Sequence, residues 1–364
     1  MRLLLTGTNG VVGSALVRRL ALNWPTDTEV VGVFSSPVSL SAFATRLGAL
    51  ANRVRPVVCD LTAASAAEDL AAEVGGSSGT VVVHAAASVA WNRSLTEMWG
   101  PNVDATRAVA TCARRTSDTA RMIYVSSAYA GYSGSRHRNT YEATKMAAEN
   151  LLREEFADLE PTMFATSLVV GSRVDGQVDG FHGVYPLLKL VAEEVPFLVG
   201  SRTARIDIVP VDWVASELVA LLRATLSGEP TEDVVAATGS ASLTLSRLVA
   251  VAVEVLNAKR ETAGLAPMAE TPVLSFRQWG FIRRSLEAWD VHGIDRHQLE
   301  RFERLLGIYT PYLKDSASRA PRNVHEPAPC PSSYLEQVVS YWWHCERHRT
   351  RRPRRYPQSM PAAP

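Results

Sequence analysis

The feature that most constrains the fold is a glycine-rich turn that directly follows a short apolar run at the start of the chain. The run is Arg2–Thr6, and the turn carries glycines at Gly7, Gly10 and Gly13. Apolar residues then recur at helical spacing over residues 12–20. A strand, a glycine turn and a helix in this order form the context of a dinucleotide site, because glycines let the backbone approach a pyrophosphate at the helix N-terminus. We therefore expect a nucleotide-binding βα unit here.

Five further apolar runs have the length of strands and are separated by segments of helical pattern. They are residues 29–34, 54–59, 80–83, 121–125 and 163–170. Strands that alternate with helices predict an α/β fold of the Rossmann type, with a doubly wound parallel sheet whose ligands bind at the carboxyl ends of the strands.

After residue 170 the pattern loosens, and a smaller C-terminal substrate lobe is expected. The expected elements are helices at 181–194, 212–223 and 243–256, strands at 205–210 and 234–237, and short helices around 276–289 and 296–306. We assign residues 1–170 to an NAD(P)-binding domain to which residues 201–240 return, and residues 171–200 and 241–345 to the lobe. Residues 346–364 are rich in arginine and proline and are expected to form a disordered tail.

A tyrosine and a lysine four residues apart, Tyr141 and Lys145, are the strongest candidates for chemistry. On a helix they share one face. A nearby positive charge favours tyrosinate, so Lys145 is expected to lower the pKa of Tyr141 and to make it a proton donor and acceptor near neutral pH. The spacing alone is common on solvated helix faces. The upstream serine pair Ser126-Ser127 and the glycine turn give it weight.

Charge and composition exclude several classes of protein. The formal net charge is +1, and six arginines within residues 347–355 leave the rest of the chain at −5, so the body has no basic footprint for nucleic acid. The sequence has no apolar run long enough to span a membrane, and its first apolar run is too short for a signal peptide. We expect a cytoplasmic protein. His84 has no neighbouring ligand-type residues, so no metal site is expected.

The second strand bears on the choice of cofactor. It ends in Ser35-Ser36, and neither the acid that would hold the NAD ribose nor an arginine for the NADP phosphate stands there. Because no carboxylate stands there to repel the 2′-phosphate of NADP(H), this cofactor is favoured. NAD remains an alternative. Arg46 and Arg53 are candidate partners for the phosphate from further along the chain.

Taken together, these residues resemble an extended short-chain dehydrogenase/reductase over roughly residues 1–226. The motifs are Thr6-Gly7-x-x-Gly10-x-x-Gly13, Asp60-Leu61, His84-Ala85-Ala86, Ser127 and Tyr141-x-x-x-Lys145. The stretches 84–91 and 206–215 are most similar to the fatty acyl reductase, or male sterility, and thioester reductase branch. Two positions depart from that branch: its arginine after strand two is missing, and Thr166 stands where a proline is usual.

The resemblance implies a role for each matching residue. Ser127, which precedes Ala128, and Tyr141 would hydrogen-bond the reacting carbonyl, while Lys145 would hold the nicotinamide ribose and tune the tyrosine. Asn102 matches the family's helix asparagine. The implied cofactor-binding residues are Gly7, Thr8, Asn9, Gly10, Val11, Gly13, Ser35, Asp60, Leu61, Ala85, Ala86, Asn102, Tyr141 and Lys145.

The implied activity is NADPH-dependent reduction of an acyl thioester, bound to CoA or to a carrier protein, or of a derived aldehyde or ketone, in lipid or natural-product biosynthesis. Sequence-based alternatives are nucleotide-sugar epimerisation or dehydration, hydroxysteroid-type oxidation, and a non-catalytic nucleotide sensor. A homodimer is compatible with the sequence. The acyl pocket is expected from residues 181–198 and from Phe276, Trp279 and Phe281, with Arg283-Arg284 meeting the phosphate of a pantetheine arm or an acidic carrier protein.

Overall fold

The computed structural model describes residues 1–23, 28–130, 138–289, 296–314 and 319–350. The strands are β1 (Arg2–Thr6), β2 (Glu29–Phe34), β3 (Arg55–Val58), β4 (Thr80–His84), β5 (Arg121–Ser127), β6 (Thr162–Thr166), β7 (Leu168–Val170), β8 (Leu198–Val199), β9 (Arg205–Ile206), β10 (Ile208–Pro210), β11 (Val234–Ala236), β12 (Leu243–Thr244) and β13 (Val273–Leu274). The α-helices are α1 (Val11–Asn23), α2 (Pro37–Leu47), α3 (Ala66–Val74), α4 (Leu95–Trp99), α5 (Ala105–Thr116), α6 (Thr140–Glu155), α7 (Tyr185–Ala192), α8 (Val211–Leu226), α9 (Leu245–Thr262), α10 (Phe276–Trp289), α11 (Arg296–Lys314) and α12 (Leu335–Thr350). A π-helical segment, Gly100–Asp104, joins α4 to α5.

The main sheet has seven strands in the order β11-β6-β5-β4-β1-β2-β3, and each neighbouring pair is parallel. The chain builds outward from β1 through β2 to β3, then returns to add β4 on the other side of β1. The order of the strands therefore reverses between β1 and β4, and in such sheets the ligand crevice lies outside the carboxyl ends at that point. The predicted Rossmann-type, doubly wound fold is confirmed.

Both faces of the sheet are buried, as parallel sheets require. Along β1, Leu3 and Leu5 face a core shared with α1 and α8. Leu4 points to the opposite core, which α3, α5 and α6 complete. This explains why the strands are continuous apolar runs and do not alternate with polar residues.

A second apolar core lies in the C-terminal lobe. It joins side chains of α7, α9 and α12, such as Leu188, Leu248 and Trp342, all of which are buried. Short strand pairs, β12 with β9 and β13 with β8, add backbone hydrogen bonds. The lobe thus has its own core beside that of the sheet.

Two predicted strands are each divided in the structure. The run 163–170 breaks at Ser167, whose N–H donates to Ala236 O at 3.0 Å, while the N–H of Leu168 donates to Asp207 O at 3.2 Å. The run 205–210 breaks at Asp207, whose carboxylate accepts from the N–H groups of Thr238 at 3.0 Å and Gly239 at 3.1 Å. In both cases the chain changes its strand partner at the break, so β7 and β10 pair outside the main sheet.

Two helix boundaries also differ from expectation. The helix expected at 181–194 begins only at Tyr185, because Gly183 has a positive φ of 64° that ends the preceding turn. At the other end of the chain, residues 346–350 belong to α12, so the disorder expected from residue 346 is wrong for these five residues. Residues 351–364, the rest of the expected tail, lie outside the described residues.

The chain between α11 and α12 returns to the edge of the main sheet. Val235 of β11 exchanges two backbone hydrogen bonds with Arg322, at 2.9 and 3.2 Å. The Glu217 carboxylate on α8 accepts from the N–H groups of His325 at 2.5 Å and Glu326 at 2.9 Å. Backbone groups that an edge strand would leave open are thus paired by this segment.

Among the helices within the described ranges, none has an apolar stretch that is long enough to cross a bilayer.

Candidate active site

The glycine turn joins β1 to α1 at the point where the strand order reverses. Gly7 has a φ of +68°, and a Cβ on it would lie 2.5 Å from the carbonyl carbon of Ala85 and 2.6 Å from the amide nitrogen of Ala86. A Cβ on Gly13 would lie 2.2 Å from the oxygen of Gly7. Both positions therefore require glycine. The resulting bare backbone beside the N-terminus of α1 fits the pyrophosphate of a dinucleotide.

A single cleft brings this turn together with the candidate catalytic residues. Its cavity volume is about 260 Å³. Its lining combines the ends of β1, β4, β5 and β6 with residues from the lobe. The predicted site residues that line it are Gly7, Gly10, Val11, Gly13, Ala85, Ser127, Tyr141 and Lys145.

The other predicted cofactor residues are not among the lining residues of this cleft. Thr8 is buried and donates from its hydroxyl to Leu5 O at 2.9 Å, so its side chain holds the turn from behind. Asn9 donates from Nδ2 to Ser39 Oγ at 3.2 Å. Ser35 and Asp60 are exposed at the ends of β2 and β3. Leu61 packs on the core under α3, and Ala86 donates its N–H to Thr6 Oγ1 at 3.3 Å.

Asn102 lies in the π-helical segment and is buried. Its Oδ1 accepts from Ser88 N at 2.7 Å, while its Nδ2 donates to Ser88 O at 3.1 Å and to Thr144 Oγ1 at 2.9 Å. It therefore fixes the loop after β4 against α6, the helix that carries Tyr141 and Lys145. The side chain holds the site together from outside the cleft.

The catalytic candidates are held by a strand end and a capped helix. Ser127 is the last residue of β5, and its Oγ accepts from Tyr129 N at 3.2 Å. Helix α6 is capped by Asn139, whose Oδ1 accepts from Glu142 N at 2.9 Å. The cap sets the first turn of α6, and with it Tyr141.

Lys145 is buried, with 1% of its surface exposed. Its Nζ donates to Val125 O at 2.7 Å and lies 4.0 Å from the centroid of the Tyr124 ring. Burial lowers the pKa of Lys145 to about 7, and the charge of Glu149, one turn further along α6, opposes the shift. Lys145 therefore changes protonation near neutral pH.

The expected lowering of the Tyr141 pKa is wrong in this structure. Burial raises the pKa of Tyr141, and the negative charge of the adjacent Glu142 raises it further. The Lys145 ammonium donates to the carbonyl of Val125, and desolvation is the largest cause of the rise in the pKa of Tyr141. At neutral pH Tyr141 is accordingly a protonated donor.

Two hydrogen-bonded polar groups lie behind the cleft, His84 and the pair formed by Ser126 and Glu149. His84 shares hydrogen bonds with Thr6 Oγ1 at 2.5 Å and Thr106 Oγ1 at 3.0 Å, and burial lowers its pKa to about 3, so it is a neutral structural link. The Ser126 hydroxyl donates to Glu149, whose pKa burial raises. No cluster of three or more potential metal ligands occurs within the described residues.

Several residues of the site were not found from sequence. Trp91, Tyr129 and Tyr312 form an aromatic wall of the cleft, with Tyr312 coming from α11. Trp91 belongs to the stretch 84–91, which is noticeable in the sequence only by its resemblance to the reductase branch. Tyr312 has no local signal, since it lies in a region without an evident motif.

The aromatic residues expected to line the acyl pocket do not line this cleft. Trp279 is buried against Phe197 and Phe302, with ring centroids 5.7 and 5.4 Å away. Phe281 is 68% exposed on the outer face of α10. Phe276 lies under the Lys314 ammonium at 4.9 Å. They belong to the lobe's own packing and to its surface, while the predicted segment 181–198 does reach the cleft, through residues 182 and 183.

A carboxylate of the lobe is tied to the back of the glycine turn. Asp179 is nearly buried and accepts from Arg18 at 2.7 and 3.0 Å and from Ser14. Its carboxylate also forms an ion pair with Arg46 Nε at 3.4 Å. Arg46 also donates from Nη2 to Asn9 O at 2.9 Å. Arg46, one of the two arginines expected as partners for the NADP phosphate, thus reaches the glycine turn.

The fold and the combination of Ser127, Tyr141 and Lys145 beside a glycine turn define an NAD(P)-dependent oxidoreductase of the extended short-chain dehydrogenase/reductase type. The profile of the family described as male sterility protein matches residues 5–218. The chain belongs to this family. No match was found among the curated proteins compared.

Solved structures share the fold at low sequence identity. The terminal R domain from the myxalamid PKS-NRPS pathway has a TM-score of 0.69 at 18% identity, covering 95% of this chain and 91% of that one. The reductase (R) domain of a nonribosomal peptide synthetase from Mycobacterium tuberculosis has a TM-score of 0.62 at 18% identity, with 94% and 91% covered. UDP-glucuronic acid 4-epimerase from Bacillus cereus, in complex with UDP-glucuronic acid and NAD, has a TM-score of 0.63 at 17% identity, with 95% and 100% covered.

Proposed function

We propose that the protein uses NADPH to reduce an acyl thioester, bound to CoA or to a carrier protein, or the aldehyde derived from it. The main support for this proposal is the composition of the residues that line the cleft. The described lining residues include no arginine, aspartate or glutamate, and three aromatic rings form one wall. A nucleotide sugar would bring a diphosphate and several hydroxyls that need charged and polar partners. An acyl group needs apolar surface, and the two R domains named above have the same fold.

In this proposal the chain's own residues bind and polarise the carbonyl. Ser127 Oγ and the Tyr141 hydroxyl donate hydrogen bonds to the carbonyl oxygen and stabilise the negative charge that develops on it. Tyr141, protonated at neutral pH, supplies the proton. NADPH, when bound, supplies the hydride. Reduction of the thioester then yields aldehyde and free thiol, and a second round yields the alcohol.

We propose NADP(H) as the cofactor because of the groups near the ribose end of the glycine turn. Ser35, the residue that follows β2, has no carboxylate that would repel a phosphate. Arg46 donates to Asn9 O at 2.9 Å, which places a guanidinium beside the turn. A bound 2′-phosphate would compete with Asp179 for this arginine.

One of the two arginines expected to meet the phosphate of a pantetheine arm or an acidic carrier protein already forms an ion pair within the lobe. Arg283 pairs with Glu303 of α11 at 2.9 Å, so its guanidinium would have to exchange a carboxylate for a phosphate. A pantetheine arm or an acidic carrier protein is still proposed as the donor of the acyl group, on the strength of the similarity to R domains.

The test follows NADPH oxidation and free thiol together. Purified protein is mixed with NADPH and hexanoyl-CoA, or with a hexanoyl carrier protein, and the thiol is titrated. We expect one thiol released for each NADPH oxidised in the first reduction. Oxidation with hexanal but never with the thioesters would overturn the thioester assignment and leave a carbonyl reductase. Turnover of UDP-sugars or of a hydroxysteroid with NAD would favour the alternative chemistries of the superfamily.

A further inference from the structure

Tyr312 joins the lobe to residues beside Ser127 and Tyr141. It is carried by the lobe helix α11 and lines the cleft. Its hydroxyl donates to Glu142 Oε1 at 2.7 Å, and Glu142 directly follows Tyr141. Its ring meets the edge of the Tyr129 ring, with centroids 5.4 Å apart, and Tyr129 N donates to Ser127 Oγ. Tyr312 therefore contacts a neighbour of each of the two residues that would bind the carbonyl.

The ring is held on several sides. Trp91 stacks on it with centroids 4.7 Å apart and an interplanar angle of 21°. The guanidinium carbon of Arg138 lies 4.5 Å from the centroids of both the Tyr129 and Tyr312 rings. Stacked and edge-on pairs of this kind, together with a cation over the ring faces, fix rings in place.

The hydroxyl is fixed as firmly as the ring. Besides donating to Glu142, it accepts from Asn139 Nδ2 at 2.7 Å. Asn139 caps α6 and accepts from Glu142 N, so the three residues form a closed circuit of hydrogen bonds. Glu142 is buried and pairs with Arg138 at 3.1 Å. Burial raises the pKa of Tyr312, and the charge of Glu142 adds to it, so the hydroxyl stays a donor.

We propose that Tyr312 is a specificity-determining residue: with Trp91, which stacks on its ring, it forms a rigid wall of the cleft that admits only an unbranched group next to the reacting carbonyl. Glu142 and Asn139 are its positioning residues. The inference rests on the proposed carbonyl reduction, and it names the class of acyl group that the site takes. A branch at the carbon beside the carbonyl would have to displace a side chain that packing and two hydrogen bonds hold in place.

A neighbouring residue of the same helix offers a matched control. Tyr309, one turn earlier on α11, donates from its hydroxyl to Gly183 O at 3.0 Å and meets the edge of Trp91 at 5.4 Å. It is not among the described residues that line the cleft. Tyr309→Phe removes a tyrosine hydroxyl from the same helix without altering the wall.

The experiment measures kcat/KM for pairs of substrates that differ by one methyl group. The pairs are hexanoyl-CoA with 2-methylhexanoyl-CoA, and hexanal with 2-methylhexanal. The wild type should prefer the unbranched member by about 10- to 200-fold, the range that one methyl group supports in a fitted site. Tyr312→Ala should lower this ratio about tenfold or more. Tyr312→Phe should fall between the two, and Tyr309→Phe should match the wild type.

The outcomes separate this inference from the proposed function. If the aldehydes react and the thioesters do not, the thioester assignment fails, while the aldehyde ratio still tests the wall. If no substrate reacts, the affinities of hexanamide and 2-methylhexanamide in the presence of NADP⁺ give the same ratio. The inference would be overturned if the wild type had the same kcat/KM, or the same affinity, for the branched and unbranched members of a pair. A folded Tyr312→Ala variant, checked by its Tm and its NADPH affinity, that keeps the wild-type ratio would also overturn it.

Discussion

The ammonium of Lys145 donates to the backbone oxygen of Val125 at 2.7 Å, deep behind the cleft. Burial lowers the pKa of Lys145 to about 7, against about 10.4 for an unfolded chain. Between these two values the unfolded state binds more protons, so this group makes the folded state more stable as the pH rises. Its destabilising effect is complete below pH 7 and disappears toward pH 10.4.

Lys145→Met should therefore stabilise the protein most at pH 6 and progressively less toward pH 9. The methionine fills similar space without a charge to desolvate. Urea unfolding at several pH values measures the difference in the free energy of unfolding. Lys189→Met, at a lysine that is 45% exposed, is the control variant for the effect of burial. A stability difference for Lys145→Met that is the same at every pH would contradict the assignment.

Tyr141→Phe should leave NADPH affinity nearly unchanged and reduce turnover by about 10²- to 10⁴-fold, as expected for loss of a general acid. The ring remains, so only the proton donor is removed. The variant's kcat with hexanal and its Kd for NADPH give the two readouts. Turnover like that of the wild type would remove Tyr141 from the mechanism.

Glu149→Gln should shift the pH dependence of reduction to lower pH. The charge of Glu149 opposes the lowering of the Lys145 pKa, so its removal lets that pKa fall further below about 7. If the charged lysine supports the reaction, activity declines as the pH rises through the Lys145 pKa, and this decline comes earlier in the variant. Other groups also act on these two residues. Tyr124 and His84 interact with Lys145, and Ser126, Arg153 and Arg319 interact with Glu149. A profile of kcat/KM against pH whose midpoint stays in place or rises would refute the coupling.

Gly13→Ala should abolish cofactor binding or unfold the turn, because the new Cβ would lie 2.2 Å from Gly7 O. Gly307→Ala is the matched control. Gly307 lies inside α11, and among the described residues no atom outside the helix's own backbone lies within 4 Å of its added Cβ, so alanine there should stabilise the helix by about 0.5–1 kcal/mol. Thermal unfolding with and without NADPH measures both effects. Normal NADPH affinity in Gly13→Ala would show that the turn can relax.

Ser35→Asp should move the preference from NADPH toward NADH. A carboxylate at the end of β2 would accept from the ribose hydroxyls and repel a 2′-phosphate. The ratio of Kd values for the two cofactors is the measurement. A wild type that already prefers NADH several-fold would refute the NADPH assignment.

The parts of the molecule that sequence predicted are local. The glycine turn, the strands of the sheet and the face shared by Tyr141 and Lys145 each depend on residues close together in the chain. For that reason the doubly wound fold and the cluster of Ser127, Tyr141 and Lys145 beside the glycines could be predicted from the sequence. The pKa of Tyr141 could not, because its direction depends on how deeply the ring is buried and on where the Lys145 ammonium points.

Contacts between residues that are far apart in the chain could not be predicted from the sequence. The apolar run 163–170 reads as one strand, and only the partners of Ser167 and Leu168 reveal that it serves two sheets. Tyr312 lies about 170 residues from Glu142, and no periodicity links them. The aromatic residues of α10 fit a pocket as well as they fit a core, so composition could not separate Phe281 on the surface from Trp279 in the interior.

The pairing of Val235 with Arg322 has a consequence for synthesis on the ribosome. The glycine turn is made before β11, yet the outer edge of β11 stays open until about ninety more residues have been made, and the second core is incomplete until α12 is made. A nascent chain halted near residue 300 would display an unpaired strand and the bare apolar faces of α7 and α9, features that promote aggregation. We therefore expect early termination in this chain to yield an aggregation-prone intermediate and not a smaller working enzyme.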